Sequence, residues 1–454
     1  MQRHRTNLRH SLRLNHEQGV VITLVAVFML FVVGAMAALS IDVVTFYTAR
    51  SEAQLAADAA ALAAARVLAN SGATSDPNAL SDGLMSYAWG LAQTVALQVA
   101  EQNRVGGVNL TSPQVTLPPG PGGTYTNPTV TIRVKANMPT FFARIWGSTQ
   151  VAVSASATAE AYNPSGANAS TGTTTPVAPI CVKPWLLPNM DPSNGGNPIF
   201  VTTTGAINPG SNLLGWETPP FGGIRLRTKC STNNGGTPDC LPASANPPTA
   251  WQYYPGTTDP ATGSFPAPNA TSVTCTGCAG FKNYQLSIAG CVQTPISCYS
   301  SAPPSPVQII NVDTTSDSAR DAETRPAVDG LTHATAGEGD SVDINAPPSP
   351  PFQFVAGEDN PIPGLAGNAV MVSDSLVTVP VIDTSPWPPA NYPQVQIIGF
   401  VQLFLNPTGA AAPFSGHIHT EVINLAGCGT GAAGQPILGN GASPVAVRLI
   451  SPSS

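Results

Sequence analysis

Residues 18–41 form a run of 24 consecutive uncharged residues, and this run constrains the fold more than any other feature. It is long enough for a transmembrane helix, which needs about 20 apolar residues. Positively charged residues tend to stay on the cytoplasmic side of a membrane. Four arginines precede the run, namely Arg3, Arg5, Arg9 and Arg13. We therefore predict a single-pass membrane protein with a cytoplasmic N-terminus and an extracytoplasmic remainder.

A cleaved signal peptide is the alternative interpretation of this N-terminal segment. Ala35, Met36 and Ala37 resemble a small-residue cleavage site after a basic region. The apolar run is longer than the usual signal-peptide core of about 7 to 15 residues. Its length therefore favours a retained membrane anchor.

An alanine-rich segment follows directly, with nine alanines between Ser51 and Ala65. Alanine favours helix, so we expect the helix to continue through residues 42–70 as a stem of small side chains. Such a face allows another backbone to approach closely. We predict that the packing residues of this stem are Ala53, Ala57, Asp58, Ala60 and Ala64. They would face either a partner helix or the rest of the same chain.

Composition narrows the fold of the remaining chain. Only 9% of the residues are charged, whereas the chain contains 42 glycines and 46 prolines, which favours strands and loops. After the apolar run, acidic residues outnumber basic ones, so a nucleic-acid partner is not expected. The patterns together predict an α+β protein.

All cysteines of the chain lie after the apolar run. They are Cys181, Cys230, Cys240, Cys275, Cys278, Cys291, Cys298 and Cys428. An even number of cysteines on one side of a membrane segment is typical of disulfides formed in an oxidising compartment. Free buried thiols are the alternative, and the sequence leaves the pairing open.

The predicted organisation follows the changes in composition. It comprises a basic cytoplasmic tail (1–17), a transmembrane helix (18–41), the alanine-rich helical stem (42–70), a small α+β domain (71–162), a linker (163–179) and a β-rich extracytoplasmic domain with long Pro/Gly-rich loops (180–454). Helical spacing of apolar residues extends over residues 80–103. Strands are predicted at residues 129–134, 151–161, 306–312, 369–382, 394–405 and 417–425.

Residues 13–69 resemble the N-terminal module of TadG-like proteins in the Flp (Tad) pilus-assembly TadE/G-like family. The shared marks are Gly19 at the start of the run, Asp42 just past it, the turn from Tyr47 to Arg50, and the alanine block that contains Asp58. The resemblance continues faintly through residues 128–162, as strand, short helix around Phe-Phe-Ala-Arg-Ile-Trp-Gly, and strand. It implies a bacterial inner-membrane protein with an extracytoplasmic domain.

Two positions depart from neighbouring families. A type IV prepilin carries Glu five residues after its cleavage glycine, whereas this chain has Leu24 at that position, which argues against peptidase processing and against a main pilin. Some TadG-like proteins contain a von Willebrand factor A domain with an Asp-x-Ser-x-Ser metal site. The most similar stretch here, Asp383 to Trp387, ends in tryptophan, so we do not predict that domain.

One weak candidate for a metal site lies in a predicted strand. His417, His419 and Glu421 alternate, so a strand would place them on one face, where they could bind zinc. A polar strand face without metal is the favoured alternative, since no fourth ligand is evident. We therefore expect no cofactor.

Three further patterns are interpreted structurally. Cys275 and Cys278 form a CxxC followed by Cys291 and Cys298, whose spacing fits disulfides better than a zinc module. Residues 429–434 match GxGxxG, but Pro436 excludes the long helix that a dinucleotide site needs. The acidic residues 313–343 could bind calcium, although a solvated acidic loop is favoured because no EF-hand spacing is present.

The sequence and the resemblance together favour a non-catalytic protein. It would act in the inner membrane by packing against other Tad pilus-assembly membrane proteins or pilus subunits. An exported pilin-like subunit or surface adhesin is the alternative, with the apolar helix removed or buried in a filament. A secreted metal-dependent hydrolase built around His417, His419 and Glu421 is a third hypothesis.

Overall fold

A computed structural model gives the structure of the protein. It describes residues 14–76, 79, 83–163, 177–190, 197–202, 205–208, 224–228, 252–257, 265, 278–298, 309–313, 317–334, 337–343, 353–370, 372–384, 394–406, 417–428, 435–437 and 443–450. Residues 1–13 of the predicted basic tail, which include its four arginines, and most of the predicted linker lie outside these residues. Residues 14–17 of that tail belong to the first helix.

Helices and strands both contribute to the described part of the chain. The helices are α1 (Leu14–Asn70), α2 (Leu84–Glu101), α3 (Asn283–Ala289) and α4 (Asp317–Leu331). The strands are β1 (Arg104–Val105), β2 (Val108–Asn109), β3 (Val115–Thr116), β4 (Gly122–Gly123), β5 (Pro128–Pro139), β6 (Gln150–Tyr162), β7 (Val177–Pro179), β8 (Trp185–Pro188), β9 (Ile224–Thr228), β10 (Gln252–Thr257), β11 (Ile309–Val312), β12 (Ser341–Asp343), β13 (Gln353–Val355), β14 (Ala369–Val370), β15 (Leu376–Ile382), β16 (Gln394–Leu405), β17 (His417–Gly427), β18 (Gln435–Ile437) and β19 (Ala446–Ile450).

The chain divides into two compact units. The first comprises Met1–Ala59, Leu97–Thr116 and Ile132–Ala157, and the second comprises Ala60–Ala96, Leu117–Thr131 and Thr158–Ser454. Helix α1 therefore contributes residues to both units. The small α+β domain at residues 71–162 and the β-rich domain at residues 180–454 stay predictions.

Helix α1 is one continuous helix of 57 residues, as the apolar and alanine-rich segments predicted. Its apolar first half, from Gly19 to about Ile41, leaves its large side chains exposed. By length and composition this part of α1 is able to cross a membrane. The buried residues of α1 concentrate in its second half, where most of them are alanines.

Strands β5 and β6 belong to a sheet with the order β19-β6-β5-β3, in which β4 also pairs with β5. The alternation predicted for β5 is confirmed, because Val130, Ile132 and Val134 are buried whereas Arg133 is exposed. Strand β3 pairs antiparallel with β5, with Val115 opposite Val134. A short 3₁₀ helix, Ala143–Trp146, lies between β5 and β6, where the resemblance predicted a short helix.

The second unit is built on a larger sheet. In the described part of the chain its strand order is β11-β10-β8-β15-β16-β17-β9. Every residue of β15 is buried, because side chains pack on both faces of the sheet. Tyr284 and Ile288 of α3 and Ala327 of α4 belong to the apolar core on one face. Cys298 and Cys428 belong to the core on the other.

Among the described residues, disulfides join Cys181 to Cys291 and Cys298 to Cys428, which confirms the predicted oxidised state of these cysteines. Cys278 is also disulfide-bonded. The alternative of a four-cysteine metal site is wrong, because Cys291 and Cys298 pair with cysteines outside that group. Cys230, Cys240 and Cys275 lie outside the described residues.

A buried lysine strengthens the connection made by the first disulfide. Lys183 lies two residues after Cys181, and its Nζ donates to the carbonyl oxygens of Ile288 (2.5 Å) and Gly290 (2.9 Å). Both acceptors lie at the C-terminal end of α3, where carbonyl groups lack helical partners. Burial lowers the pKa of Lys183 to about 8.

The preferred interpretation of residues 313–343 as an acidic loop is wrong, because Asp317–Leu331 is helix α4. Arg320 of this helix pairs with Asp313 and with Glu323, each at 2.5 Å. Its guanidinium also lies over the ring of Tyr284, 4.8 Å from the centroid. These contacts neutralise part of the acidic charge and dock α4 on α3.

The strand predictions differ in how closely they match the structure. The predicted strand 394–405 coincides with β16, and β17 extends two residues beyond the predicted strand 417–425. The predicted strand 369–382 forms two strands, β14 and β15, separated by a turn. Helix α2 occupies most of the predicted helical stretch 80–103.

Candidate functional site at the end of the apolar segment

Asp42 is the first residue after the apolar run, and its side chain is the centre of the candidate site. The residue is only 1% exposed. Its Oδ1 accepts the backbone N–H of Phe141 at 2.9 Å. Its Oδ2 accepts the N–H groups of Phe142 at 3.0 Å and Ala143 at 2.8 Å. Three consecutive backbone donors thus surround one carboxylate.

The donors lie in the connection between β5 and β6, which we call the hairpin tip (residues 140–149). Within the tip, the N–H of Thr140 donates to the carbonyl oxygen of Thr149 at 3.2 Å. Gly147 adopts a φ of 89° and donates its N–H to the carbonyl oxygen of Arg144 at 3.0 Å. That left-handed conformation favours glycine, and it ends the 3₁₀ helix that begins at Ala143.

Hydrogen bonding determines the charge state of the Asp42 carboxyl. Burial by itself raises its pKa, but the N–H donors of Ala143, Phe141 and Phe142 favour the charged form. The pKa consequently lies below its ordinary value of 3.8. The contribution of this carboxylate to stability is therefore complete above the ordinary pKa, and it is lost only as the pH falls through the lower folded value.

We call the three hydrogen bonds between Asp42 and the hairpin tip the clamp. Farther along α1, within the first unit, two other side chains also bind the chain. Glu52 Oε2 accepts the backbone N–H of Gly106 at 2.6 Å. Gln54 Nε2 donates to Asp58 Oδ1 at 2.8 Å and to the carbonyl oxygen of Ser156 at 3.2 Å. The helix is thus bound at three levels, and Asp58 acts here through Gln54.

The predicted alanine face is fully buried within the chain. Ala53, Ala57, Ala60 and Ala64 each have 0% exposure. Residues of the same chain cover these side chains, which is one of the two arrangements that the sequence predicted. A contact of this face with a second protein stays a prediction.

The C-terminal end of α1 is bound by polar side chains of the second unit. Asn424 Nδ2 donates to the carbonyl oxygen of Ala69 at 2.5 Å, and Gln402 Nε2 donates to Asn70 Oδ1 at 3.0 Å. Ser75 Oγ, just beyond the helix, donates to the carbonyl oxygen of Leu425 at 2.8 Å. The bond from Asn424 supplies a partner for the Ala69 carbonyl, a backbone group that the helix end leaves without an intrahelical donor.

The weak metal candidate lies on β17. Strand β17 contains His417, His419 and Glu421, as predicted, and pairs with β9 and β16. Glu421 is buried. The side chains of the two histidines lie outside the description of the structure. Within the described residues, no three His, Cys, Asp or Glu side chains come together with the geometry of a metal site.

The GxGxxG residues 429–434 lie outside the described part of the chain. The next described residues, Gln435–Ile437, form strand β18. A dinucleotide site needs a helix at this point, so the rejection of that site is supported.

From the sequence, Asp42 was noted only as a mark of the family resemblance, and neither its role as a site residue nor its partners were predicted. The donors Phe141 to Ala143 are separated from Asp42 by about a hundred residues, and backbone N–H groups have no sequence signature. The only available signal was the faint resemblance around the hairpin tip. A helix, an aromatic-rich turn and an acidic residue just past the membrane occur together in that resemblance.

The fold and the site define a class of protein with one apolar N-terminal helix that continues into a mixed helix and strand body. Residues 19–67, about a tenth of the chain, match the family model described as putative Flp pilus-assembly TadE/G-like. The match supports the assignment of this N-terminal segment to the Flp pilus-assembly TadE/G-like family. No curated protein and no solved structure matches the chain. The family and the apolar helix fit a membrane-anchored pilus-assembly protein.

Replacing Asp42 with asparagine tests the clamp. The amide places an NH₂ group where a carboxylate oxygen accepts hydrogen bonds, and it removes the charge that strengthens them. We expect backbone amides of residues 141–143 to exchange with deuterium at least about tenfold faster, an increase equivalent to about 1.4 kcal/mol of lost protection. Hydrogen-exchange mass spectrometry of the protein in detergent micelles measures this. Asp58→Asn is the control, and equal exchange in the two variants would contradict the assigned role.

Replacing Ala57 with leucine tests the buried alanine face. Ala57 is fully buried, so the larger side chain has no space, and overpacking of this kind costs about 1–3 kcal/mol. Ser51→Leu is the matched control, because Ser51 is exposed on the same helix. Denaturant unfolding in micelles, followed by tryptophan fluorescence, should show a lower midpoint for Ala57→Leu alone. Similar midpoints for both variants would show that the face is not tightly packed.

Proposed function

We propose that this protein is a non-catalytic, single-pass inner-membrane component of Tad/Flp pilus assembly. Its N-terminus is cytoplasmic, and the residues after Asp42 are extracytoplasmic. The N-terminal arginines support this orientation through the positive-inside rule. The two disulfides support an oxidising location for the second unit.

A single observation carries this proposal, namely the change of environment along one unbroken helix. The first half of α1 exposes large apolar side chains, whereas the second half contains most of the buried residues of the helix, and most of those are alanines. A bilayer is the environment that satisfies the first half, because every backbone polar group of a helix is bonded internally. The second half then holds the helix in the extracytoplasmic part of the protein.

The proposed mechanism is mechanical rather than chemical. A helix that is hydrogen-bonded at Asp42, Glu52 and Gln54 cannot rotate or slide independently of the first unit. Forces and contacts on the extracytoplasmic part are therefore transmitted to the membrane helix. The partners would be other Tad pilus-assembly membrane proteins or pilus subunits.

An exported pilin-like subunit or surface adhesin is the second candidate function. The observation that favours it is the same exposed apolar surface from Val20 to Leu39, since a filament core satisfies apolar helices as a bilayer does. The two functions differ in where the protein resides and in whether its N-terminal segment is retained.

Intact mass and location distinguish these functions. We expect the protein to fractionate with the inner membrane at its full-length mass, because the apolar segment is retained. Mass spectrometry of separated inner-membrane, periplasmic and sheared-surface fractions measures both properties. A product that lacks about the first 19 residues and is recovered from sheared filaments would contradict the anchored function and favour the subunit.

A further inference from the structure

The hairpin tip is attached at the point where the apolar part of α1 ends. Asp42 directly follows the apolar run, and its carboxylate accepts the N–H groups of Phe141, Phe142 and Ala143. Side chains of a helix tilt toward its N-terminus. The carboxylate of Asp42 therefore points back toward the apolar segment, and the donors of the tip lie at that same level.

The length of the apolar run gives the depth of Asp42 in a bilayer. Residues 18–41 span about 36 Å at 1.5 Å per residue. The hydrocarbon core of a bilayer is about 30 Å thick, and about 40–45 Å with the headgroup layers. When the apolar run spans the core, Asp42 lies in the headgroup layer of the extracytoplasmic leaflet. The hairpin tip, bonded to Asp42, lies in that layer too.

The exposed side chains of the tip match the chemistry of this layer. Phe141 is 64% exposed although its backbone is held by Asp42. Arg144, three residues later, is also exposed. Tyr47, five residues beyond Asp42 on α1, is another exposed aromatic side chain. Aromatic rings favour the membrane–water interface, and arginine is attracted to anionic headgroups.

We propose that the hairpin tip is a second membrane contact, in which Phe141 and Arg144 bind the headgroup layer beside α1. The occupant of this surface is the lipid bilayer itself, because the tip adjoins the exposed apolar surface of α1 that a bilayer covers. The proposal rests on the membrane-anchored function above. Two attachment points, the helix and the tip, then set the depth and tilt of the first unit at the membrane.

Site-specific photocrosslinking tests this contact in the full-length protein. The photoreactive residue p-benzoylphenylalanine replaces Phe141, and the protein is reconstituted in vesicles of phosphatidylethanolamine and phosphatidylglycerol. After irradiation, intact-mass spectrometry detects phospholipid adducts. Phe28, in the middle of the apolar run, is the positive control. We expect adducts at positions 28 and 141.

Val108 is the matched negative control. It is 70% exposed and belongs to the same unit as Phe141. It lies two residues from Gly106, which binds Glu52, ten residues and about 15 Å beyond Asp42 along the helix. A lipid adduct yield at position 141 several-fold above that at position 108 is the expected result.

The outcomes separate this inference from the function on which it rests. Adducts at position 28 but not at position 141 would overturn the lipid contact and leave the membrane anchor intact. Equal yields at positions 108 and 141 would also overturn it, because the tip would then have no special proximity to lipid. A protein–protein crosslink at position 141 in place of the lipid adduct would show that a second copy occupies the surface. The absence of phospholipid adducts at position 28 would contradict membrane anchoring itself.

Discussion

A buried carboxylate at the end of the apolar segment of α1 is the central physical constraint of this structure. A charge removed from water is costly unless hydrogen bonds compensate it. Asp42 meets this requirement with three backbone donors from a single turn. The hydrogen bonds that compensate this buried charge also hold the hairpin tip against α1. The need to satisfy the carboxylate therefore connects the two elements.

The composition of α1 explains how one helix serves two environments. Large apolar side chains suit lipid, where no close protein partner is needed. Alanine suits the buried half, because it favours helix and keeps the surrounding residues close to the helix backbone. Hydrogen bonds of Glu52, of Gln54 and of the Ala69–Asn70 end then fix the position of this alanine surface along the residues that cover it. Small side chains alone specify such a position poorly.

Sequence reasoning succeeded where the signal was local. The length and helicity of α1, the alternation of β5 and the bounds of β16 follow from hydrophobic patterns within each segment. Helix α4 was missed because its acidic and polar residues carry no apolar stripe, and Pro326 lies inside it. Its stability comes from Arg320 and from packing on α3, which are tertiary effects.

The long-range contacts of the structure could not be predicted from the sequence for another reason. The disulfides join cysteines 110 and 130 residues apart, and the spacing of eight cysteines does not select a pairing. The bond from Asn424 to the carbonyl oxygen of Ala69 spans 355 residues. Such contacts depend on the assembled fold, so in the sequence Asp42 stood out only as a mark of the family resemblance and not as a hydrogen-bond acceptor.

The central claim is that α1 continues without a break from its apolar segment into its alanine-rich half. A distance measurement between spin labels at Leu30 and Leu55, both exposed on the first unit, tests it most directly. In a continuous helix these positions are 25 residues and about 38 Å apart along the axis. The account predicts a narrow distribution near that distance by double electron–electron resonance in lipid nanodiscs. A broad distribution, or one centred well below it, would show a hinge near Asp42 and contradict the account.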